Sequence, residues 1–192
     1  MEITEDTVAI VTGGASGLGA ATVKVLASQG AKVSVFDMNR NVGKKIFNKL
    51  QVDYYDVDVS NAIEVAAAVN SVESKFKRLN VLVNCAGIGP AAKTVSRGEP
   101  HEAELFSKVI QVNLIGSFYC ASNAAAAMLR SETCTDDGGR GIIINTASIA
   151  AYEGQIGQVA YAASKGGILG MTLPMARDLS EFGVRVCTIA PG

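Results

Sequence analysis

The chain has 192 residues, 48% of them apolar, with 20 glycines and no tryptophan, which suits one domain (1–192) of tightly packed helix and sheet layers. A formal net charge of −1 offers no basic footprint for a nucleic-acid backbone. His101 is the single histidine, which argues against a histidine-centred triad or a metal cage, so no metal site is expected.

Residues 7–12 (TVAIVT) form an apolar strand candidate that runs into Gly13-Gly-Ala-Ser16-Gly17-Leu18-Gly19. A helical pattern follows over 17–29, with Leu18, Ala21, Val25 and Leu26 on one stripe. Glycines between a strand and a helix let the backbone turn sharply and approach a pyrophosphate, and the helix start offers free N–H groups. The second strand candidate, 32–37 (KVSVFD), ends on Asp37, 18 residues past Gly19. A carboxylate there can accept both adenosine ribose hydroxyls and would repel a 2′-phosphate, which favours NAD over NADP. No cation interrupts the glycine loop, although Arg40 lies close by.

A helix is expected over 42–50 and a third strand over 52–57. Asp58 and Val59 follow it, where Asp58 would accept from an adenine amino group or serve as a solvated turn acid. After a helix over 62–76, the run 81–87 (VLVNCAG) reads as a buried strand closing in a small-residue turn. Gly87 and Ala86 would let the cofactor ribose lie against the backbone, and Asn84 either joins them or braces the sheet. A long polar loop over 88–102 precedes a helix over 102–130 that carries Asn113. The run 141–147 (GIIINTA) is a buried-strand pattern that delivers Ser148 to the tip of a sheet. A helix over 159–182 follows, with Pro174 expected to kink it or remove one hydrogen bond. The last strand candidate is 184–190, and Pro191-Gly192 ends the sequence.

Tyr161 and Lys165 are four residues apart and follow Ser148 by thirteen. A phenol with a free pKa near ~10 is a poor acid-base group at neutral pH. A lysine at i+4 on a helix shares its face and favours the phenolate by charge. A hydroxyl, an activated phenol and a cation converging on one point suit proton transfer at a carbinol or carbonyl oxygen. Five helices alternating with six strands predict an α/β, Rossmann-type doubly wound parallel sheet in the order 3-2-1-4-5-6. The crevice then lies at the carboxyl ends of strands one and four, where every motif above is found.

Taken together, Thr12-Gly13-x-x-x-Gly17-x-Gly19, Asp37, Asn84-x-Ala86-Gly87, Asn113, Ser148, Tyr161-x-x-x-Lys165 and Pro191-Gly192 resemble the short-chain dehydrogenase/reductase superfamily. The resemblance spans the whole chain. It implies that Tyr161 takes the substrate proton, Ser148 holds the substrate oxygen, and Lys165 supports the phenolate and binds the nicotinamide ribose. Asn113 would station a water linking Lys165 to solvent. Pro191 and Gly192 join the cofactor contacts. Residues 139–179 are similar to the type 2 branch of 3-hydroxyacyl-CoA dehydrogenases, which also carries a longer loop after the fourth strand. That branch implies an L-3-hydroxyacyl-CoA substrate, with hydroxysteroids as additional ones, and Gln155 and Gln158 as contacts to the thioester or carbonyl unless they are plain loop residues.

Relatives continue past Pro191-Gly192 into a substrate-covering segment and a seventh strand. From that difference follows the expectation that this chain binds NAD and turns over poorly, or acts as a silent NAD-binding or subunit-pairing protein. A 3-oxoacyl-(acyl carrier protein) reductase is the other enzyme reading, opposed by Asp37. Relatives also pair as homodimers or homotetramers through two long helices, here with Ala160, Ala163, Gly167 and Gly170 as a small-residue face.

Cys85, Cys120, Cys134 and Cys187 match no zinc or redox spacing, which implies a reducing compartment, cytoplasm or mitochondrial matrix. No apolar stretch reaches the ~18–20 residues of a membrane span. The acidic N-terminus lacks the pattern of a secretory or transit leader.

Overall fold

The computed structural model describes residues 1–39, 50 and 52–192; the helix expected over 42–50, with Arg40, lies outside the described residues. Among the described residues eight strands follow in chain order: β1 (Val8–Thr12), β2 (Lys32–Asp37), β3 (Val52–Asp56), β4 (Val81–Asn84), β5 (Val95–Ser96), β6 (Glu99–Pro100), β7 (Gly141–Thr146) and β8 (Val184–Ile189). Six of them form one parallel sheet in the order β3-β2-β1-β4-β7-β8, the arrangement expected. The short antiparallel pair β5–β6 lies in the loop after β4 and was not foreseen.

Strand β1 is buried along its whole length, because both of its faces are covered. Val8 and Ile10 join one apolar layer with Phe36, Leu82 and Ile143. Ala9 and Val11 join the opposite layer with Val33, Val35, Val81 and Val83. The first layer is closed by α2 (Ala62–Phe76), α4 (Gly116–Arg130) and α6 (Val159–Ser180), the second by α1 (Gly17–Ser28). Asn61 starts α2 by accepting from the N–H groups of Ile63 and Glu64, a standard satisfaction of first-turn donors. On α4, Ala124, Ala125 and Ala127 are buried, so the alanine run brings that helix close to its neighbours.

One sequence expectation is corrected on α1. On α1 the buried face is Gly19, Ala20, Val23 and Leu26, whereas Leu18 and Val25 are exposed. The stripe read from apolar residues is thus rotated, because small residues rather than large ones meet the glycine loop. On α6, Ala160 is buried and a Cβ on Gly167 would stand 2.6 Å from Leu114, so both turn inward. Ala163 and Gly170 remain exposed. Helix α6 runs through Pro174 without interruption; proline lacks the N–H that would have met the Gly170 carbonyl.

The helix expected over 102–130 is α3 (Ala103–Ile110) and α4 joined by a π turn over Gln111–Ile115, in which the Gly116 N–H reaches the Gln111 carbonyl. One extra residue in a turn shifts the faces on either side of it, and Asn113 sits inside that turn. The 28 residues Ala103–Arg130 hold an apolar window of mean hydropathy 1.2, long and apolar enough by composition to cross a membrane, which corrects the expectation that no stretch is. Half of that apolar window is buried inside the protein, as in the core helix of a packed layer.

Candidate active site

At the carboxyl end of the sheet, β1 runs into the glycine loop and the loop into α1. Gly13 has φ of +63°, and a Cβ there would stand 2.8 Å from the Ala86 backbone, so the loop lies directly on the turn after β4. Gly19 is tighter still: a Cβ would come within 2.2 Å of the Gly13 carbonyl. Gly17 has φ of +50° with nothing within 4 Å of a Cβ, a left-handed position open to the cleft. Ser16 precedes α1 without a side-chain cap, and no acid occupies the first turn. The first N–H groups of α1 therefore remain available to an anion, as a dinucleotide pyrophosphate requires.

A cleft of about 700 Å³ opens beside this loop. Ser16, Leu18, Asp37, Asp58, Val59 and Gly87 are among the residues lining it. Asp37 accepts from the Ala15 N–H at 3.0 Å and from the Asn39 N–H at 2.8 Å. A carboxylate has about four acceptor positions, so capacity remains for ribose hydroxyls. Asp58 caps its own turn, accepting from the Ser60 N–H and hydroxyl through one oxygen. Val59 is buried against Gly116 and forms apolar floor.

A second cleft, of about 510 Å³, holds Ser148, Gln155, Gln158, Tyr161, Lys165 and Gly192 along its walls. Leu18, Cys85, Gly87 and Ile88 line both clefts, which makes one trough running from Asp37 to Tyr161. Ser148 follows β7, and its Oγ accepts from the Ala150 N–H at 3.1 Å; its own hydrogen stays free to donate. That bond starts the short helix α5 (Ala150–Glu153). Lys165 is buried, with Nζ donating to the Thr146 carbonyl at 2.6 Å and standing 5.6 Å from the Tyr161 ring centroid. Burial pulls its pKa down to about 8, because the charged form loses hydration. Burial also raises the Cys85 thiol, against smaller opposing effects from Thr146, Thr22 and Lys165.

Gln158 Oε1 accepts from the Gln155 N–H at 2.9 Å, so one of the two glutamines shapes the loop before α6 while Gln155 keeps its side chain exposed. The Pro191 carbonyl accepts from the Ile149 N–H, which brings residue 192 against the rim.

Two buried asparagines are held by protein partners. Asn84 is buried; it donates to the Ser117 carbonyl and to Asn145 Oδ1, and accepts from Thr12 Oγ1. Its amide is thus consumed between β1, β4, β7 and α4, the sheet-bracing alternative of the two expected for it. Asn113 is fully buried, and its side chain bonds the Ile88 N–H and carbonyl and the Ser164 hydroxyl. With both N–H donors engaged by protein, the side chain is a strut beneath the trough.

A strand–glycine-loop–helix cradle joined to a hydroxyl, phenol and ammonium is the equipment of a nicotinamide-dependent oxidoreductase. The model of the family described as short chain dehydrogenase matches residues 7–192, and the chain belongs to that family, whose members generally bind NAD or NADP. It is 47% identical over 192 residues to the 3-hydroxyacyl-CoA dehydrogenase type-2 of Drosophila melanogaster, covering 98% of this chain and 75% of the relative. Identity to the protein of the same name from Bos taurus is 50% over 190 residues, covering 96% and 72%. The crystal structure of 3-hydroxyacyl-CoA dehydrogenase type-2 from Mycobacterium avium matches with a TM-score of 0.93 at 40% identity, over all of this chain and 76% of that one.

Proposed function

We propose that the chain interconverts an L-3-hydroxyacyl-CoA and the corresponding 3-oxoacyl-CoA with NAD, and accepts hydroxysteroids as a further substrate class. The observation that carries this reading is the single trough: Asp37 lies at one end, and Ser148, Tyr161 and Lys165 gather at the other. The names of the relatives supply the substrate class.

When bound, the dinucleotide supplies the hydride acceptor. Gly13, Gly17, Gly19 and the start of α1 would hold its pyrophosphate, and Asp37 would accept from the adenosine ribose. The phenolate of Tyr161 removes the proton from the substrate hydroxyl. Ser148 donates its free hydrogen to the same oxygen and fixes it within reach. Lys165 keeps a positive charge beside the ring below a pH of about 8. Acid-base transfer of this kind contributes roughly 10²–10⁴ in rate. Gln155 offers its exposed amide to the thioester carbonyl.

On this reading the chain acts as one cofactor-binding and catalytic domain in a reducing compartment, cytoplasm or mitochondrial matrix; its four cysteines are free. Pairing into a homodimer or homotetramer would use the outer faces of α4 and α6, where Phe118 and Leu173 are exposed. Sedimentation at micromolar concentration tests the assembly, and a monomer would refute it. For the chemistry, L-3-hydroxybutyryl-CoA and a hydroxysteroid are each mixed with the protein and either NAD or NADP, and reduced nicotinamide is followed by absorbance. Preference for NADP, or oxidation of neither substrate, would overturn the proposal.

A further inference from the structure

Ser164 immediately precedes Lys165 and is fully buried. Its hydroxyl donates to the Tyr161 carbonyl at 2.7 Å and accepts from Asn113 Nδ2 at 3.0 Å. The other N–H of that amide goes to the Ile88 carbonyl at 2.8 Å, and Asn113 Oδ1 accepts from the Ile88 N–H at 2.8 Å. A line of polar contacts therefore joins the first turn of α6, the π turn and the segment after β4.

That segment borders Tyr161 and Lys165 directly. A Cβ on Gly89 would stand 3.4 Å from the Tyr161 ring, and one on Gly87 3.9 Å from Lys165 Nζ. Gly87 and Ile88 also line both halves of the trough. The Asn113 amide has only one workable orientation, because a flip would set N–H against the Ile88 N–H. The Ser164 oxygen satisfies the donor that would otherwise stay unpaired in the interior.

We infer that Ser164 is a positioning residue: it holds Asn113 in register so that the Ile88 segment and the Tyr161 turn keep a fixed separation across the reacting centre. It touches neither substrate nor cofactor. The inference rests on the reading of Tyr161 as the proton-transfer group. Removal of the hydroxyl releases one end of the strut, and the Ile88 segment then moves relative to the phenol. Small misplacements of this kind cost up to ~10²-fold in rate.

The test compares Ser164→Ala with wild type in steady-state kinetics, thermal melting and amide hydrogen exchange at Ile88. Expected are a fall in kcat of roughly ten- to a hundredfold, a KM for substrate within a few-fold, and faster exchange of the Ile88 N–H. Ser164→Thr should restore both rate and protection, since a helical threonine hydroxyl can also bond the i−3 carbonyl. Unchanged kcat per folded protein with unchanged Ile88 exchange would overturn the proposal, even if melting fell. Should Ser164→Ala not fold, Ser164→Thr and Ser164→Val, alike in shape, replace it, and equal turnover in that pair would refute the strut. Full activity of Tyr161→Phe would instead defeat the reading of the active site, while Ile88 exchange in Ser164→Ala would still decide the role of Ser164.

Discussion

Lys165 spans from α6 to the carboxyl end of β7, where its ammonium donates to the Thr146 carbonyl at 2.6 Å. Ser148 lies two residues beyond Thr146, so one bond ties the helix bearing the phenol to the strand bearing the hydroxyl. The carbonyl it uses is main chain, and burial outweighs the opposing pull of Cys85 on the Lys165 ammonium.

That burial gives a signed prediction for stability. Lys165 has a folded pKa of about 8 against 10.5 for the free side chain, so between these values the unfolded chain binds the extra proton. Wild type should therefore gain stability relative to Lys165→Met as pH rises from about 8 to about 10.5, by at most ~1.4 kcal/mol per pH unit. Below pH 8 the difference should stay flat. Urea unfolding of both proteins at pH 7, 9 and 10 measures it; a difference that is constant throughout, or that moves the other way, contradicts the burial argument.

Asp37→Asn retains an oxygen for the Ala15 N–H and removes the negative charge. The ratio of kcat/KM with NADP to that with NAD should rise roughly five- to a hundredfold, the range expected for one charge near a phosphate. Comparison of Asn with Ala separates charge from loop support, because Asp37→Ala also strands the Ala15 N–H. An unchanged ratio in both variants would remove Asp37 from the ribose site.

Gly19→Ala sets a Cβ at 2.2 Å from the Gly13 carbonyl, and the obstacle is backbone rather than a side-chain tip. The loop and the start of α1 must separate, at about 1–3 kcal/mol of overpacking. NAD affinity should weaken by more than the melting temperature alone implies, since the same shift spoils the pyrophosphate cradle. Calorimetric titration with NAD on folded protein checks this, and wild-type affinity would mean that the loop tolerates the opening.

The sequence made the cradle and the order of the main sheet readable, because glycine spacing and alternating apolar runs are local signals. Tyr161 and Lys165 were legible for the same reason, as i and i+4 on one helix. What stayed hidden depended on contacts between distant segments. A continuous helical period over 102–130 cannot reveal the one-residue insertion at Gln111–Ile115, and that insertion sets where Asn113 points. Asn84 carries the same amide whether it meets ribose or Asn145; only the register that places Thr12, Asn84 and Asn145 side by side decides between them. The stripe on α1 failed because the tight approach of Gly19 to Gly13 outweighs the preference of Leu18 and Val25 for the interior. Two-residue strands such as β5 and β6 are too short to leave any period.

The central claim is that the Tyr161 hydroxyl carries the proton during oxidation of an L-3-hydroxyacyl-CoA by NAD. Its most direct test is the initial rate of reduced-nicotinamide formation from L-3-hydroxybutyryl-CoA by wild type and Tyr161→Phe, each with NAD affinity measured in parallel. Phenylalanine keeps the ring and its packing, so kcat should fall roughly 10²–10⁴-fold with NAD affinity within a few-fold of wild type. Near-normal turnover by Tyr161→Phe would show that another group moves the proton and would contradict the account.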